Sequence, residues 1–346
     1  MLAVVMHSAK DLRVEQREAP QMLAGEVRVK VAVGGICGSD LSYYRKGGVA
    51  DFKIREPLTL GHEVAGEIVE IATPAAGFAV GSRVAINPSR PCLLCAFCRT
   101  GRENLCTDMR FLGSAARSPH VQGAFSETVV VRADQCIPIP DDLPFTLAAC
   151  AEPLAVALHA VRRAGEVMGR RVLVTGAGPI GLLCAAAAIR AGAARVTVTD
   201  LAPEPLAIAT RMGASEVIVV GGEVDRLARA AGECGGFEVA FEATGAPVSL
   251  AGLPPLMRRG GRIVQVGMFP PGELPISMNM LITREIDLIG SFRFDQEFAM
   301  AVELLAAGKI DVTPILSGLF PILQAAEAFE FAGDRRKSVK VQLEIT

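Results

Sequence analysis

The sequence predicts an α/β protein that combines a β-rich domain with a doubly wound parallel sheet. The chain has 346 residues, which is enough for two domains that each bury a core of their own. Its first half reads as strands and loops, whereas from Arg171 onward short apolar strands alternate with segments of helix length. Strands that alternate with helices indicate a parallel sheet covered on both faces.

The strands of the first half alternate polar and apolar residues, as strands buried on one face do. EVRVKVAV at 26–33 is the clearest, and VAGEIVEIA and GSRVAI follow the same pattern between Gly and Pro residues. A hydrophobic share of 51% together with 35 glycines fits a soluble α/β protein with many tight turns. We therefore predict a β-rich domain in this half.

The strands of the second half are short, apolar and β-branched: RVLVTG, RVTVTD, EVIVV, FEVAFEAT and RIVQVG. We place their domain at 154–289. Residues 1–153 and 290–346 are assigned to the β-rich domain, because the tail, with an amphipathic helix and the last strand VKVQLEI, is expected to return to it. Pro254 and Pro255 fall where a helix is expected, so that helix is predicted to start late or to kink.

Composition argues against several classes of partner. The net charge is −2 and no long run of one sign appears, so neither nucleic acid nor an anionic membrane surface is expected to bind. The apolar N-terminus is too short for a signal peptide, and the longest apolar run, LLCAAAAI, is too short to span a bilayer. We expect a cytoplasmic protein, in which nine cysteines are more typical of metal binding or free thiols than of disulfides.

The segment VLVTGAGPIG predicts a dinucleotide site, because a strand leads into spaced glycines and then a helix. Gly176 permits the tight turn, Gly178 lets the backbone approach a pyrophosphate, and Gly181 allows close packing of helix and strand. Asp200 ends the next strand, where its carboxylate should accept hydrogen bonds from the ribose hydroxyls and repel a 2′-phosphate. NAD is therefore favoured over NADP. The alternative is an ordinary glycine-rich turn.

A second motif, PCLLCAFCRTGRENLC, predicts a closed structural zinc site within a lobe at 88–108. Four thiolates can surround one tetrahedral ion and leave no vacant position, so the ion would hold a loop together without taking part in chemistry. Four free or disulfide-bonded cysteines and an iron–sulfur cluster are the alternatives. The cysteines are Cys92, Cys95, Cys98 and Cys106.

Four further residues could ligate a metal, but composition alone does not show whether they lie close together in the folded chain. Cys37 lies in VGGICGSD, His62 and Glu63 are adjacent in LGHEVAG, and Glu152 lies in CAEPLAVALHA. Taken alone, Cys37 could be a metal ligand, a nucleophile or a buried apolar residue, and the last is the most common role of a free cysteine. A lone histidine is likewise more often structural than a ligand.

The order and separation of GICGSD, GHEVAGEIVE, the four-cysteine lobe, EPLAVALHA, VTGAGPIG, FEATG and GSFRF resemble the zinc-dependent medium-chain dehydrogenases over essentially the whole chain. The resemblance implies a GroES-like catalytic domain and a Rossmann domain. The glutamate of EPLAVALHA resembles the polyol branch of that family, and the tail resembles the L-idonate 5-dehydrogenases most, then the sorbitol (L-iditol) dehydrogenases.

The resemblance implies a catalytic zinc held by Cys37, His62 and Glu63. Glu152 is either a direct ligand or reaches the metal through a bound water. Two zinc ions per chain are then expected, one catalytic and one structural. Ser39 would bond the substrate hydroxyl and start the path of the proton. The residues implied to contact the polyol chain are Tyr43 and Arg293. The residues implied to line the cofactor are Ile180, Val266, Gly267 and Met268.

The implied activity is the reversible oxidation of a secondary alcohol, with zinc as a Lewis acid and NAD as the hydride acceptor. L-idonate, oxidised to 5-keto-D-gluconate, is the first expectation. Sorbitol, 2,3-butanediol and threonine are alternatives, and a non-catalytic dinucleotide-binding protein is the alternative of another class. An aldonate carboxylate would need a cation, for which four candidates, also readable as surface charges, are Arg110, Arg117, Lys53 and Arg55.

Three positions depart from the polyol branch. Ser42 stands where a histidine often ends the proton relay, Phe294 where a tyrosine often contacts substrate, and Pro205 where an arginine often holds the adenosine end. The segment REIDLIGS could be an edge strand that pairs across a two-fold axis, as it does in resembling proteins. We therefore expect a homodimer or a homotetramer.

Overall fold

A computed structural model describes residues 1–72, 77–221 and 224–346, the side chains of 224 and 225 excepted. The described chain divides into two compact units. The first comprises 1–152, 298–308 and 316–346, and the second comprises 153–297 and 309–315.

The strands, in chain order, are β1 Leu2–Ser8, β2 Asp11–Gln16, β3 Glu26–Gly35, β4 Gly48–Val49, β5 Phe52–Lys53, β6 Leu58–Thr59, β7 Glu63–Ile71, β8 Arg83–Ile86, β9 Ser89–Arg90, β10 Arg110–Phe111, β11 Thr128–Arg132, β12 Cys136–Pro138, β13 Arg171–Thr175, β14 Arg195–Asp200, β15 Glu216–Val219, β16 Phe237–Glu242, β17 Met257–Gln265, β18 Asp287–Gly290, β19 Leu316–Pro321 and β20 Lys340–Glu344.

The α-helices are α1 Gly38–Lys46, α2 Ala96–Arg99, α3 Phe145–Ala148, α4 Ala151–Ala164, α5 Pro179–Arg190, α6 Pro203–Arg211, α7 Val224–Glu233, α8 Pro247–Gly252, α9 Met278–Arg284, α10 Glu297–Ala306 and α11 Ala325–Ala332.

The first unit is built around a seven-stranded sheet in the order β12-β8-β7-β3-β20-β19, with β11 also paired to β3. The long central strand β3 alternates as its sequence predicts, and its inward valines Val27, Val29 and Val31 are fully buried in the core of this unit. The last strand β20 pairs antiparallel with β3, so the chain's tail is part of this sheet.

The second unit holds a six-stranded sheet in the order β15-β14-β13-β16-β17-β18, with every pair parallel. The chain order therefore reverses between β13 and β16. This is the doubly wound arrangement that binds dinucleotides at the carboxyl ends of the strands. The predicted fold class, a β-rich domain together with a doubly wound parallel sheet, is confirmed.

The helix before Pro254 differs from its prediction. It neither starts late nor kinks; α8 starts at Pro247 and ends at Gly252, and a 3-10 turn follows at Pro254–Leu256. Proline has no N–H to donate to the carbonyl four residues earlier, so the α-helical ladder ends ahead of it.

One described helical stretch, Phe145–Ala164, has the length and composition to cross a membrane. Since 72% of it is buried inside the protein, we assign it as a core helix of the fold.

Candidate active site

The register of three strands brings together residues that are far apart in the chain. Gly35, at the end of β3, pairs with Glu63 on one side and with Gln342 on the other. Cys37 follows two residues later as the N-cap of α1, and Lys340 begins β20. The ends of β3, β7 and β20 therefore meet at one place in the first unit.

Three metal-ligating side chains lie at that place. One ligand atom each from Cys37, His62 and Glu63 lie within 4.8 Å of one another. His62 and Glu63 are buried and Cys37 is partly exposed. Sulfur, imidazole nitrogen and carboxylate oxygen are the donor types that zinc takes, and three protein ligands leave a position open for water or substrate. The donor set therefore fits a catalytic zinc.

Asp40 hydrogen-bonds the backbone of one of these residues and lies near the side chain of another. Its fully buried carboxylate accepts hydrogen bonds from the backbone N–H of Cys37 (2.9 Å) and of Gly61 (3.4 Å), and one of its oxygens lies 3.9 Å from His62 Nδ1. Burial raises the pKa of Asp40, an effect that the nearby His62 opposes. A carboxylate behind a ligating histidine fixes the orientation of the ring. The sequence analysis gave Asp40 no role, although it stands in the quoted GICGSD.

Lys340 is the second residue that the sequence analysis missed. Its Nζ donates to both carboxylate oxygens of Glu63 and to the carbonyl of Ile36. Burial alone would lower the pKa of Lys340, but the adjacent Glu63 carboxylate raises it above its ordinary value. The only signal in the sequence was one lysine in the otherwise largely apolar strand VKVQLEI.

Glu152 lies in the first turn of α4 and is 6% exposed. It does not join the group of ligand atoms formed by Cys37, His62 and Glu63. Burial raises the pKa of Glu152 to about 8, with His62 opposing the rise and Glu63 and Cys37 adding to it. Burial likewise raises the pKa of the Cys37 thiol to about 12, with Glu63 adding to the rise. Such a cluster of buried acids calls for a compensating cation.

The residues predicted to handle substrate lie in different surroundings. Ser39 is partly buried in the first turn of α1, two residues after Cys37. Tyr43 is 3% exposed, and its hydroxyl accepts a hydrogen bond from the N–H of Ala115 at 3.0 Å. Ser42 donates to the carbonyl of Gly48 at 2.7 Å.

Arg293 belongs to the second unit and has a φ of 54°, in the left-handed region that is uncommon for a residue with a side chain. Its guanidinium carbon lies 4.8 Å from the centroid of the Phe292 ring. Among the cations considered for a carboxylate, Arg117 already pairs with Asp108 and donates to two backbone carbonyls, whereas three are exposed: Arg110, Lys53 and Arg55.

The four cysteines of the lobe also come together, with their Sγ atoms within 4.8 Å of one another. The Sγ atom of Cys98 lies 4.0 Å from that of Cys92 and 3.5 Å from that of Cys95. These separations are close to the ~3.8 Å that follows from four sulfurs placed 2.3 Å from one tetrahedral zinc. All nine cysteines of the chain lie in its described parts, and none forms a disulfide.

Backbone N–H groups point at the sulfurs of this lobe. The N–H of Cys95 donates to Cys92 Sγ, and the N–H groups of Cys92 and Asp108 donate to Cys106 Sγ. Hydrogen bonds from the backbone N–H groups of Cys98 and Thr107 lower the pKa of Cys95 to about 5. Backbone donors that stabilise thiolates even without a metal ion fit a closed structural zinc site.

The dinucleotide motif has the geometry that its glycines require. A Cβ at Gly181 would lie 1.8 Å from the carbonyl oxygen of Gly176, so that position tolerates no side chain. A Cβ at Gly178 would meet nothing within 4 Å, which leaves space beside the N-terminus of α5 for a phosphate. The carboxylate of Asp200 accepts from the N–H groups of Ala177 (2.7 Å) and Ala202 (3.0 Å). Asp200 thus also holds the glycine loop itself.

Three of the other predicted cofactor residues, Val266, Gly267 and Met268, follow β17. The N–H groups of Val266 and Gly267 donate to the carbonyl of Glu242, and Met268 is 55% exposed. Ile180 lies in the first turn of α5 and is partly buried. Glu242, the glutamate of FEATG, was not predicted to have a role.

A first unit that carries two zinc-type donor clusters, together with a second unit that has a dinucleotide-binding sheet, defines a zinc-dependent dehydrogenase. Family models agree: "Alcohol dehydrogenase GroES-like domain" matches residues 23–141, and "Zinc-binding dehydrogenase" matches residues 179–307. The chain belongs to the zinc-dependent medium-chain alcohol and polyol dehydrogenases, and it is an oxidoreductase of that family.

Individual relatives narrow the branch. The chain is 44% identical over 316 residues to the L-idonate 5-dehydrogenase (NAD(P)(+)) of Escherichia coli, covering 91% of this chain and 90% of the relative. It is 36% identical to the sorbitol dehydrogenase of Bacillus subtilis, covering 96% and 93%. A crystal structure of the L-idonate 5-dehydrogenase of Escherichia coli superposes with a TM-score of 0.93 at 40% identity, covering 99% of this chain and 98% of that one.

Proposed function

We propose that this chain oxidises a secondary alcohol of a sugar acid or polyol, and that its substrate is L-idonate, converted to 5-keto-D-gluconate with NAD as acceptor. The observation that carries the proposal is the group formed by Cys37, His62 and Glu63, in a chain 44% identical to an L-idonate 5-dehydrogenase. Bound NAD would supply the hydride acceptor: the carbinol carbon would lose its hydrogen as hydride, the hydroxyl proton would go to solvent, and a ketone would form.

Zinc bound to Cys37, His62 and Glu63 would act as a Lewis acid on the alcohol oxygen. Ser39, which lies in the first turn of α1 two residues after Cys37, is proposed to accept the hydroxyl proton and pass it on. Asp40 holds the backbone of Cys37 and faces His62, so it keeps both ligands oriented. We propose that Glu152 faces the metal through a water, since its carboxylate stands outside the three-ligand group.

The coenzyme is proposed to bind the second unit, with its pyrophosphate at Gly176, Gly178 and Gly181 and its adenosine ribose at Asp200. NAD is preferred because Asp200 carries a negative charge where NADP carries a phosphate. The proposed contacts at the other half of the coenzyme are Ile180, Val266, Gly267 and Met268, with Tyr43 and Arg293 proposed for the substrate chain.

We also propose domain boundaries, an oligomeric state and a location for this chain. Residues 1–153 and 290–346 would form the catalytic domain, with its zinc lobe at 88–108, and 154–289 would form the coenzyme domain. β18 lies at the edge of its sheet with Leu288 39% exposed, which supports pairing between copies in a homodimer or homotetramer. We propose a cytoplasmic location and a small-molecule substrate, with neither nucleic acid nor a membrane as a partner.

Sorbitol oxidation is the second candidate, favoured by the 36% identity to a sorbitol dehydrogenase. The test is a panel of L-idonate, sorbitol, 2,3-butanediol and L-threonine, each with NAD and with NADP, scored by kcat/KM for coenzyme reduction. We expect L-idonate with NAD to give the highest value. A higher value for sorbitol would transfer the assignment to the second candidate, and no reduction with any alcohol would favour a non-catalytic dinucleotide-binding protein.

A further inference from the structure

Glu242 is a buried carboxylate at the carboxyl end of the six-stranded parallel sheet. It is the last residue of β16 and its side chain is fully buried. Its Oε1 accepts from the N–H (2.9 Å) and hydroxyl of Thr244 and from the hydroxyl of Thr175 at 3.5 Å. Its Oε2 accepts from the N–H of Gly245 at 3.2 Å and from Gln265 Nε2 at 2.6 Å. None of these five donors is a cation, so the network holds a negative charge by hydrogen bonds alone.

The backbone of Glu242 holds the neighbouring strand's turn as well. Its carbonyl accepts from the N–H groups of Val266 (2.9 Å) and Gly267 (2.8 Å). Gln265 completes the link, because its Nε2 donates both to Glu242 Oε2 and to the carbonyl of Gly267, at 2.7 Å. Glu242 therefore joins the turn at 243–246 to the turn at 266–268.

These two turns are packed against each other without a side chain between them. A Cβ at Gly245, whose φ is +65°, would lie 2.4 Å from the carbonyl oxygen of Met268. A Cβ at Gly267 would lie 2.3 Å from the backbone nitrogen of Gly245 and 2.9 Å from Glu242 Oε2. A shift of the carboxylate is therefore transmitted directly to both turns.

The strand order indicates which half of the coenzyme the turns at 243–246 and 266–268 face. The adenosine half belongs to β13 and β14, where the glycine loop and Asp200 lie, and the strand order reverses between β13 and β16. The other half of a dinucleotide extends past that reversal, over the ends of β16 and β17. The two turns held by Glu242 follow these strands.

We propose that Glu242 is a positioning residue that fixes the turns at 243–246 and 266–268 for the nicotinamide half of the coenzyme, an inference that rests on the proposed coenzyme binding. Replacing it with glutamine keeps the shape but turns one acceptor into an NH₂ donor. In either orientation that NH₂ faces a backbone N–H, of Thr244 or of Gly245, which can only donate. The network then loses at least one bond next to the turns.

The experiment compares the affinities of wild type and Glu242→Gln for NADH and for ADP-ribose, which lacks the nicotinamide. Because the chain has no tryptophan, calorimetry or the fluorescence of NADH itself serves as the signal. We expect NADH to bind on the order of tenfold more weakly to the variant, the effect of about one lost hydrogen bond. ADP-ribose should bind nearly as well as to wild type.

Glu238→Gln is the matched control, since Glu238 lies on the same strand but pairs with Arg170, Arg171 and Arg258 at the other end. It should lower stability without changing the ratio of the two affinities. If Glu242→Gln does not fold, Gln265→Met, which removes the donor shared by Glu242 and Gly267, should show the same selective loss.

Equal losses for NADH and ADP-ribose would show a general disturbance of the unit and overturn the positioning role. Unchanged NADH affinity would overturn it too. Failure of wild type to bind NADH would instead refute the proposed function, and the positioning role with it.

Discussion

Lys340 Nζ lies 2.6 Å and 2.7 Å from the two carboxylate oxygens of Glu63, and both side chains are 1% exposed. The pair joins residues 277 positions apart, at the starts of β7 and β20. Two charges removed from water are costly unless each satisfies the other. Here the lysine compensates the buried Glu63 carboxylate at the candidate zinc site.

Removing that lysine should destabilise the protein strongly. Lys340→Met leaves the Glu63 carboxylate buried without its cation, which we expect to lower the free energy of unfolding by about 3 kcal/mol or more. Lys337→Met is the control, because Lys337 is 69% exposed and its solvent-screened pair with Asp334, at 3.5 Å, should contribute little to stability. Urea unfolding of both variants measures the difference. Equal losses of unfolding free energy would mean that the buried Lys340–Glu63 pair stabilises the protein no more than an exposed pair does.

The two zinc sites should separate by mutation. Cys37→Ser removes one ligand of an open site, so the protein should keep its fold and its lobe zinc while losing activity. Cys98→Ser breaks a closed four-thiolate site, whose metal contributes to folding, and should lower stability instead. Metal analysis and thermal unfolding of both variants are the measurements. The same loss of stability in both would contradict this division of roles.

Coenzyme choice should depend on Asp200. Asp200→Ser should weaken NAD binding and relieve the repulsion of a 2′-phosphate, so the ratio of kcat/KM for NAD over NADP should fall. Some of the NAD loss will come from the glycine loop, because Asp200 also accepts from the N–H of Ala177. Glu204→Ser, at an exposed position in the first turn of α6, is the control. A wild type that uses NADP as well as NAD would refute the role of Asp200.

Stability at acid pH should depend on Glu297. Burial alone would raise the pKa of Glu297, but hydrogen bonds from His159 and from the N–H of Asp295 lower it from 4.5 to about 2. A depressed carboxyl pKa contributes stability that is present above 4.5 and is lost as the pH falls toward 2. Glu297→Gln should therefore flatten the pH dependence of unfolding in this window, whereas Glu303→Gln, exposed on the same helix, should not. An unaltered profile in Glu297→Gln would contradict the assignment.

Local patterns were enough to predict the fold and the group of four cysteines. The alternation of β3 and the apolar strands from Arg171 onward follow from periodicity, and Cys37, His62 and Glu63 were joined only by the resemblance to a family. Asp40, Lys340 and Glu242 were missed, because their roles arise from strand register and from pairings such as Lys340 with Glu63. The early end of α8 shows how Pro254 sets a boundary that periodicity alone leaves open.

The transfer of hydride from L-idonate is the central claim, and an isotope label tests it most directly. Zinc-loaded protein would be given NAD and L-idonate carrying deuterium at C5, and the reduced coenzyme would be analysed by mass spectrometry and NMR. The account predicts deuterium at C4 of the nicotinamide and 5-keto-D-gluconate as the product. Reduced coenzyme without deuterium, or no reduction of the coenzyme, would contradict it.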